Sequence, residues 1–240
     1  DPMEKETLKA SSWKLSNTEN DLMELIEKPS KKVLRKIKIM RRFQFSSSLK
    51  RSSSISKILN TNKILVSVKG APETIRGMLT NIPENYDETF KFFTRSGSRV
   101  LALAYKYLDD SSVAGSKLNT IKRESVESKL IFGGFIVFHC PMKADAVETI
   151  KMLNESSHRC IMITGDNPLT AIHVAKNVEI VKRETLILDK DYENEDQDDY
   201  LIWKNVEETI SKKFIIGEPI DESLFKTYDL CLTGFAINKL

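Results

Sequence analysis

Cysteine is scarce in this chain: Cys140, Cys160 and Cys231 are odd in number and form no C-x2-4-C pair. They read as reduced thiols on the cytosolic side, and even with His139, His158 and His173 added they offer no zinc-ligand spacing. No metal site is expected from them. Glycine and proline are also sparse, 9 and 7 in 240 residues, while 40% of residues are apolar and 30% charged. That balance excludes a disordered or fibrous chain, and at roughly 150 residues per domain it allows one large domain or two small ones. Long apolar runs are missing. The longest, Leu130 to Cys140, falls well short of the roughly 20 residues a membrane helix needs, so no membrane insertion is expected. No charge sign dominates, with 37 Lys+Arg against 34 Asp+Glu, which gives no argument for nucleic acid. The N-terminus has no signal-peptide h-region and no starting Met, so the chain is expected to be cut from something longer.

What is present is unevenly arranged. Lys28 to Arg42 carries eight basic residues and no acid, and Asp189 to Asp199 is strongly acidic; both read as solvated faces or loops. Leu8 to Leu25 is mostly polar, with helical spacing at Leu22, Leu25 and Ile26. Val33 to Phe45 alternates with period 2, as a half-buried antiparallel strand does. A serine-rich hinge is expected over Ser46–Ser56. Ile64–Val68 and Val100–Tyr107 read as strands, and Tyr86, Phe90 and Phe93 share one helical face. Beyond residue 129 the pattern changes to apolar strand (Leu130–Phe138), helix (Lys143–Asn154), apolar strand (Cys160–Ile163), turn and helix (from Pro168). That order implies a parallel sheet. The expected organisation is an α+β domain over 1–128 and a Rossmann-like α/β domain over 129–240, with an acidic insertion near 189–200.

Thr164-Gly165-Asp166-Asn167 follows the carboxyl end of an expected parallel strand, where open α/β sheets place ligands. Its hydroxyl and helix N-terminal N–H groups suit a phosphoryl group, although a capped strand-to-helix turn has the same composition. Lys69-Gly70-Ala71-Pro72-Glu73 sets a lysine, a mobile point charge suited to phosphate or adenine, beside a tight turn. Phe43 and Phe45 alternate onto one face and read as core before ligand platform.

Taken in order, Asp1-Pro2-Met3-Glu4-Lys5, Phe45-Ser46-Ser47-Ser48-Leu49-Lys50-Arg51, Lys69 to Glu73, Ser98-Arg99-Val100-Leu101-Ala102 and Met162 to Asn167 resemble the motifs of P-type ATPases. Cys140-Pro141-Met142-Lys143-Ala144-Asp145 and Ser157 to Ala171 look most like the endoplasmic-reticulum branch of the type-V subfamily. The resemblance covers residues 1 to about 181. Beyond them only Cys231-Leu232-Thr233-Gly234 is similar to the family. It implies a nucleotide-binding (N) domain inserted in a Rossmann-like, haloacid-dehalogenase-type phosphorylation (P) domain, here incomplete.

By resemblance, Phe45 matches the aromatic that stacks on adenine, Lys69 the lysine of the adenine pocket beside Gly70, and Glu4 the acid near the adenine amino group. Lys50 lines the pocket, Arg99 reaches the phosphates, and Thr164, Gly165 and Asp166 match the loop that holds the transferred phosphoryl group. Ser47 stands where an arginine is common. His139-Cys140-Pro141-Met142-Lys143 replaces the Asp-Pro-Pro-Arg of ion pumps. No Asp-Lys-Thr-Gly-Thr or Gly-Asp-Gly-x-Asn-Asp occurs.

The implied cofactors are therefore ATP and Mg2+, with the phosphate-accepting aspartate and the magnesium ligands outside this chain. The implied partners are the remaining P domain, the actuator and the transmembrane domains of one polypeptide, on the cytosolic face of the endoplasmic reticulum. Two alternatives stand beside this reading. One is a non-enzymatic nucleotide-binding or scaffold module. The other is a soluble haloacid-dehalogenase-like phosphatase, for which Asp189-Lys190-Asp191 has the nucleophile spacing.

Overall fold

The computed structural model describes residues 2–11, 13–16, 21–26, 33–109, 113, 117–192, 194 and 199–240. They divide into two compact units, Asp1–Phe90 with Val100–Phe138, and Lys91–Arg99 with His139–Leu240.

In the first unit, helix α1 (Pro2–Ala10) precedes a meander of strands. β1 (Trp13–Leu15), β2 (Leu22–Ile26), β3 (Val33–Ser46), β4 (Arg51–Ile58), β5 (Lys63–Gly70) and β6 (Arg99–Asp109) pair antiparallel in sequence order. β7 (Ile131–Phe138) lies beyond β6. Register sorts the side chains onto two faces, because successive residues of a strand alternate. Ser53 stands opposite Val68 and Val68 opposite Ala104; Ile55 stands opposite Val66. All five are buried on one face. Ser52, Lys69 and Leu103 line up on the other. The helices α2 (Pro72–Arg76), α3 (Tyr86–Arg95), α4 (Lys117–Thr120) and α5 (Arg123–Val126) fill the connections. Tyr86, 1% exposed, packs edge-on against Phe132 at 5.0 Å and donates its hydroxyl to the Pro72 carbonyl. Its partner Phe90 is buried as the helical spacing requires, whereas the neighbouring Phe92 is exposed.

Two local expectations are corrected here. The helical spacing at Leu22, Leu25 and Ile26 belongs to a strand, since Leu22–Ile26 adds to the edge of β3 and tertiary pairing overrides the periodicity of a short segment. The serine-rich hinge is mostly a central strand. Only residues 47–50 turn, and Arg51–Ile58 pairs on both sides, with Ser53 and Ser56 buried. The basic run is likewise structured where it is described: Lys36 pairs with Glu24 and Arg42 with Asp21. Lys28, Lys31 and Lys32 lie outside the described residues.

The second unit holds α6 (Ala146–Glu155), α7 (Pro168–Asn177), β8 (Thr185–Asp189), β9 (Tyr200–Asn205), β10 (Ser211–Ile215), α8 (Glu222–Thr227), β11 (Asp229–Leu232) and α9 (Gly234–Ile237). Its sheet runs β10-β9-β8-β11, and β11 pairs parallel with β8. Leu186, Leu188, Leu201, Trp203, Phe214, Leu224 and Ala236 form its core. The helices expected after residues 143 and 168 are both present. The strand expected at Cys160–Ile163 is not, and the Leu130–Phe138 strand joins the first sheet instead of a parallel one. The reason is pairing: a strand needs an edge, β7 has β6, and among the described residues none pairs with 160–163. Ile161 and Ile163 are left 76% and 95% exposed. Of the acidic segment between β8 and β9, Glu193, Glu195, Asp196 and Asp198 lie outside the described residues.

Candidate functional site

Lys69 occupies the last turn of the pleat before Gly70, on the face of β5 opposite the core. Its ammonium meets the Glu4 carboxylate from α1 at 2.5 Å. Hydrogen bonding by Lys69, and then its charge, holds the Glu4 carboxyl below the usual carboxylate range. Beside this pair opens a pocket of about 320 Å³, walled by Met3, Leu8, Trp13, Met23, Leu101, Ile136 and Phe138. Thr7 and Ser11 also line it, their hydroxyls donating to the Met3 and Leu8 carbonyls. A mainly apolar slot with a carboxylate and an ammonium at its side suits a flat heteroaromatic ring that carries both an amino group and ring nitrogens.

The β3–β4 turn approaches from the neighbouring strand end. Lys50 takes positive φ (49°), and the N–H groups of Leu49 and Lys50 both donate to the Ser46 carbonyl. The Lys50 carbonyl accepts from Ala71 N–H at 3.0 Å. A Cβ on Gly70 would stand 2.7 Å from that carbonyl oxygen and 2.8 Å from the Arg51 Cβ. Gly70 is therefore required by close backbone approach, a packing role that its motif did not disclose. Phe45, just before the turn, is 65% exposed. Phe43 is covered instead: the Arg41 guanidinium lies 4.5 Å over its ring, and Arg123 flanks it at 5.9 Å.

A second cluster lies in the second unit. Asn167 caps α7 by accepting from Leu169 N–H, with Pro168 in the first turn where its missing N–H costs nothing. Thr164 Oγ1 accepts from Asp166 N–H at 3.1 Å, and Asp166 receives Arg99 through Nε at 3.0 Å and Nη2 at 2.6 Å. Arg99 is held there by its own turn. Thr170 Oγ1 donates to the Ser98 carbonyl, and Gly97 (φ 78°) leaves room for the His173 ring, which a Cβ would overlap at 2.3 Å. Gly165 faces open space.

Glu4 and Lys69 are thus brought together, as are Arg99, Thr164 and Asp166. Phe45 lies at the end of β3 just before the turn that holds Lys50, and neither of these two lines the pocket. The pocket walls Trp13, Met23, Leu101 and Ile136 escaped sequence reasoning. Leu101 carried a signal, since it falls two residues from Leu103, the register partner of Lys69, and so on the same face.

The sequence comparisons bear on which family uses such a site. The family description "P-type ATPase, cytoplasmic domain N" matches residues 8–145. The chain belongs to the P-type ATPase family. It is 54% identical over its whole length to the endoplasmic reticulum transmembrane helix translocase of Saccharomyces cerevisiae, and 42% identical to a probable manganese-transporting ATPase of Arabidopsis thaliana. A human polyamine-transporting ATPase is 34% identical over 68% of the chain. The matches over the full chain to endoplasmic-reticulum translocases agree with the type-V branch of the P-type ATPases. The chain spans about a fifth, 19%, of the length of the yeast and Arabidopsis relatives.

Proposed function

We propose that this chain is the ATP-binding head of a type-V P-type ATPase, its first unit the N domain and its second a part of the P domain. The observation that carries the reading is the Lys69–Glu4 pair at the side of the apolar pocket. There the Glu4 carboxylate accepts from the adenine amino group, the Lys69 ammonium donates to a ring nitrogen, and the apolar walls exclude water. Phe45 offers an exposed ring for stacking, worth about 0.5–1.5 kcal/mol beyond its area. Lys50, which is not among the residues lining the pocket, is assigned to the nucleotide by its match to the family motif. Arg99, Thr164, Gly165 and Asp166, all in the second unit, are assigned to the phosphoryl group by their match to the family motifs; there the Arg99 guanidinium is paired with the Asp166 carboxylate.

In the whole enzyme ATP would phosphorylate an aspartate of the same polypeptide, with the actuator and transmembrane domains as partners on the cytosolic face of the endoplasmic reticulum. The cargo is a transmembrane segment or a cation. Magnesium is implied by the family, but the donor set here does not fit it: among the described residues no three His, Cys, Asp or Glu side chains come together, and Asp166 is engaged by Arg99. No step is assigned to the metal in this chain. The Rossmann-like reading of the second unit is supported by the parallel β8–β11 pair and by Thr233, which caps α9 and donates to Asp189 at 2.7 Å. The phosphatase alternative loses its second acid, because Asp191 is buried and already accepts from Tyr200 and Asn194.

The test is a nucleotide titration read by amide chemical shifts. ATP and AMP should both perturb Trp13, Phe45 and Lys69 at millimolar concentration, adenine contributing more than phosphate, and silence at those amides would sink the reading. Lys69→Ala should weaken AMP about ten-fold, near 1.4 kcal/mol. No acid-stable phosphoenzyme should form from radiolabelled ATP.

A further inference from the structure

Glu127 is the most deeply buried carboxylate among the described ion pairs, its side chain 0% exposed, and it lies outside the family motifs of the chain. A carboxylate taken fully out of water is tolerated only when its oxygens are saturated with donors. Three supply them. Arg51 Nε reaches one oxygen at 2.5 Å, while Ser53 Oγ and Arg123 Nε reach the other, each at 2.8 Å. The three donors come from two elements, β4 and α5. Arg51 opens β4 directly after the turn, Ser53 is on the core face of β4, and Arg123 projects from α5. Arg123 also donates to the backbone carbonyls of Gln44 and Arg51, one on each side of the β3–β4 turn.

We propose that Glu127 is a positioning residue for nucleotide: its buried carboxylate gathers Arg51, Ser53 and Arg123 and so sets the β3–β4 turn that presents Phe45 and Lys50. The role rests on the nucleotide reading above. The geometry is economical, because Glu127 touches no part of the pocket. It orients Arg123, Arg123 ties Gln44 to Arg51, and the turn between them is thereby held against Ala71 N–H, one residue beyond the Lys69–Gly70 strand end. Burial alone would push the Glu127 carboxyl up, but the bonds from Arg51, Ser53 and Arg123 outweigh it and hold the group below its ordinary range. It is an anion at neutral pH. Without that charge Arg51 and Arg123 lose their common anchor, and the turn is free to shift relative to Lys69. Displacements of about 1 Å in a positioned group cost up to about 100-fold in function.

The experiment compares the full chain with Glu127→Gln, which keeps shape and removes charge, and with Ser53→Ala, which removes one donor. Ile64→Val, a buried change toward the far end of β5, controls for general loss of stability. AMP and inorganic tripolyphosphate are titrated separately, read by amide shifts. Glu127→Gln should bind AMP about ten-fold more weakly and tripolyphosphate unchanged, with exchange protection lost at the Leu49, Lys50 and Ala71 amides. Ser53→Ala should do the same to a smaller extent, and Ile64→Val should do neither. Unchanged AMP affinity in Glu127→Gln, or equal weakening of AMP and tripolyphosphate, overturns the positioning role while leaving the nucleotide reading intact. Failure of the unsubstituted chain to bind AMP overturns the nucleotide reading, and this role with it.

Discussion

The two units differ in how completely they pair their apolar segments. The first sinks a carboxylate, Glu127, among two arginines and a serine, and encloses Tyr86, Ile64 and Val66 almost completely. The second has a comparable core around Trp203 but leaves Ile161, Ile163 and Met152 exposed, at 76%, 95% and 54%. The apolar residues at 160–163 are as β-prone as those of β5. Composition alone does not bury a segment. An apolar strand is buried only when a hydrogen-bonding edge accepts its backbone, and a polar group is buried only when partners saturate it. β5 has β4 and β6 on its two sides. Residues 160–163 have no described pairing partner.

Each unit contains one of the two tryptophans, Trp13 in the first and Trp203 in the second. Incorporated 5-fluorotryptophan therefore gives separate unfolding probes. The largest effect is expected from Glu127→Ala. Stranding two partly buried guanidinium groups costs about 3–5 kcal/mol, so the Trp13 transition in urea should move to lower denaturant while Trp203 stays put. A shift of both together would break the comparison between the units.

Gly97→Ala should act on the second unit, by about 1–3 kcal/mol, because it meets both a positive φ and the His173 ring. Here Trp203 should respond first, and Arg99–Asp166 pairing should loosen; identical melting of variant and parent would show that the loop yields freely.

Acid should separate the units by a smaller margin. Glu127 titrates below its unfolded value, so its stabilisation is complete above the unfolded carboxyl pKa, about 4.3, and is lost as pH falls through the lower folded value. Glu208 and Asp229 are shifted the same way in the second unit, but their carboxylates are 39% and 22% exposed and are screened by solvent. Glu127→Gln should flatten the acid limb reported by Trp13 and leave that of Trp203 unchanged. The smallest effect belongs to Ile163→Ser, within about 0.5 kcal/mol on either probe, since an exposed side chain has little burial to lose. A clear drop in stability there would mean that residue 163 is covered in solution.

β3 and β6 were legible by period-2 alternation and β5 as a short strand ended by Gly70, because each pairs with its sequence neighbours, so local pattern and tertiary pairing agree. The cap and first turn of α7 were equally plain in Asn167-Pro168. The Leu22–Ile26 strand and the serine-rich β4 were not legible, because their conformation comes from β3 and β5 and not from their own residues. Of the site, the lysine and acid of the Lys69–Glu4 pair were named from their motifs. Trp13, Met23 and Ile136 reach the same pocket from β1, β2 and β7, and no spacing along the chain encodes that convergence.

By itself the sequence determined the family, through ordered motifs whose residue types suit adenine and phosphate, and the absence of any run long and apolar enough to cross a membrane as a helix. Only the tertiary structure decided that Leu130–Phe138 completes the first sheet, that Gly70 is needed for backbone approach, and that Glu127 lies at the base of the β3–β4 turn. The reason is physical. Motifs record the chemistry of single side chains, whereas edges, close approaches and buried charge clusters depend on which distant segments meet.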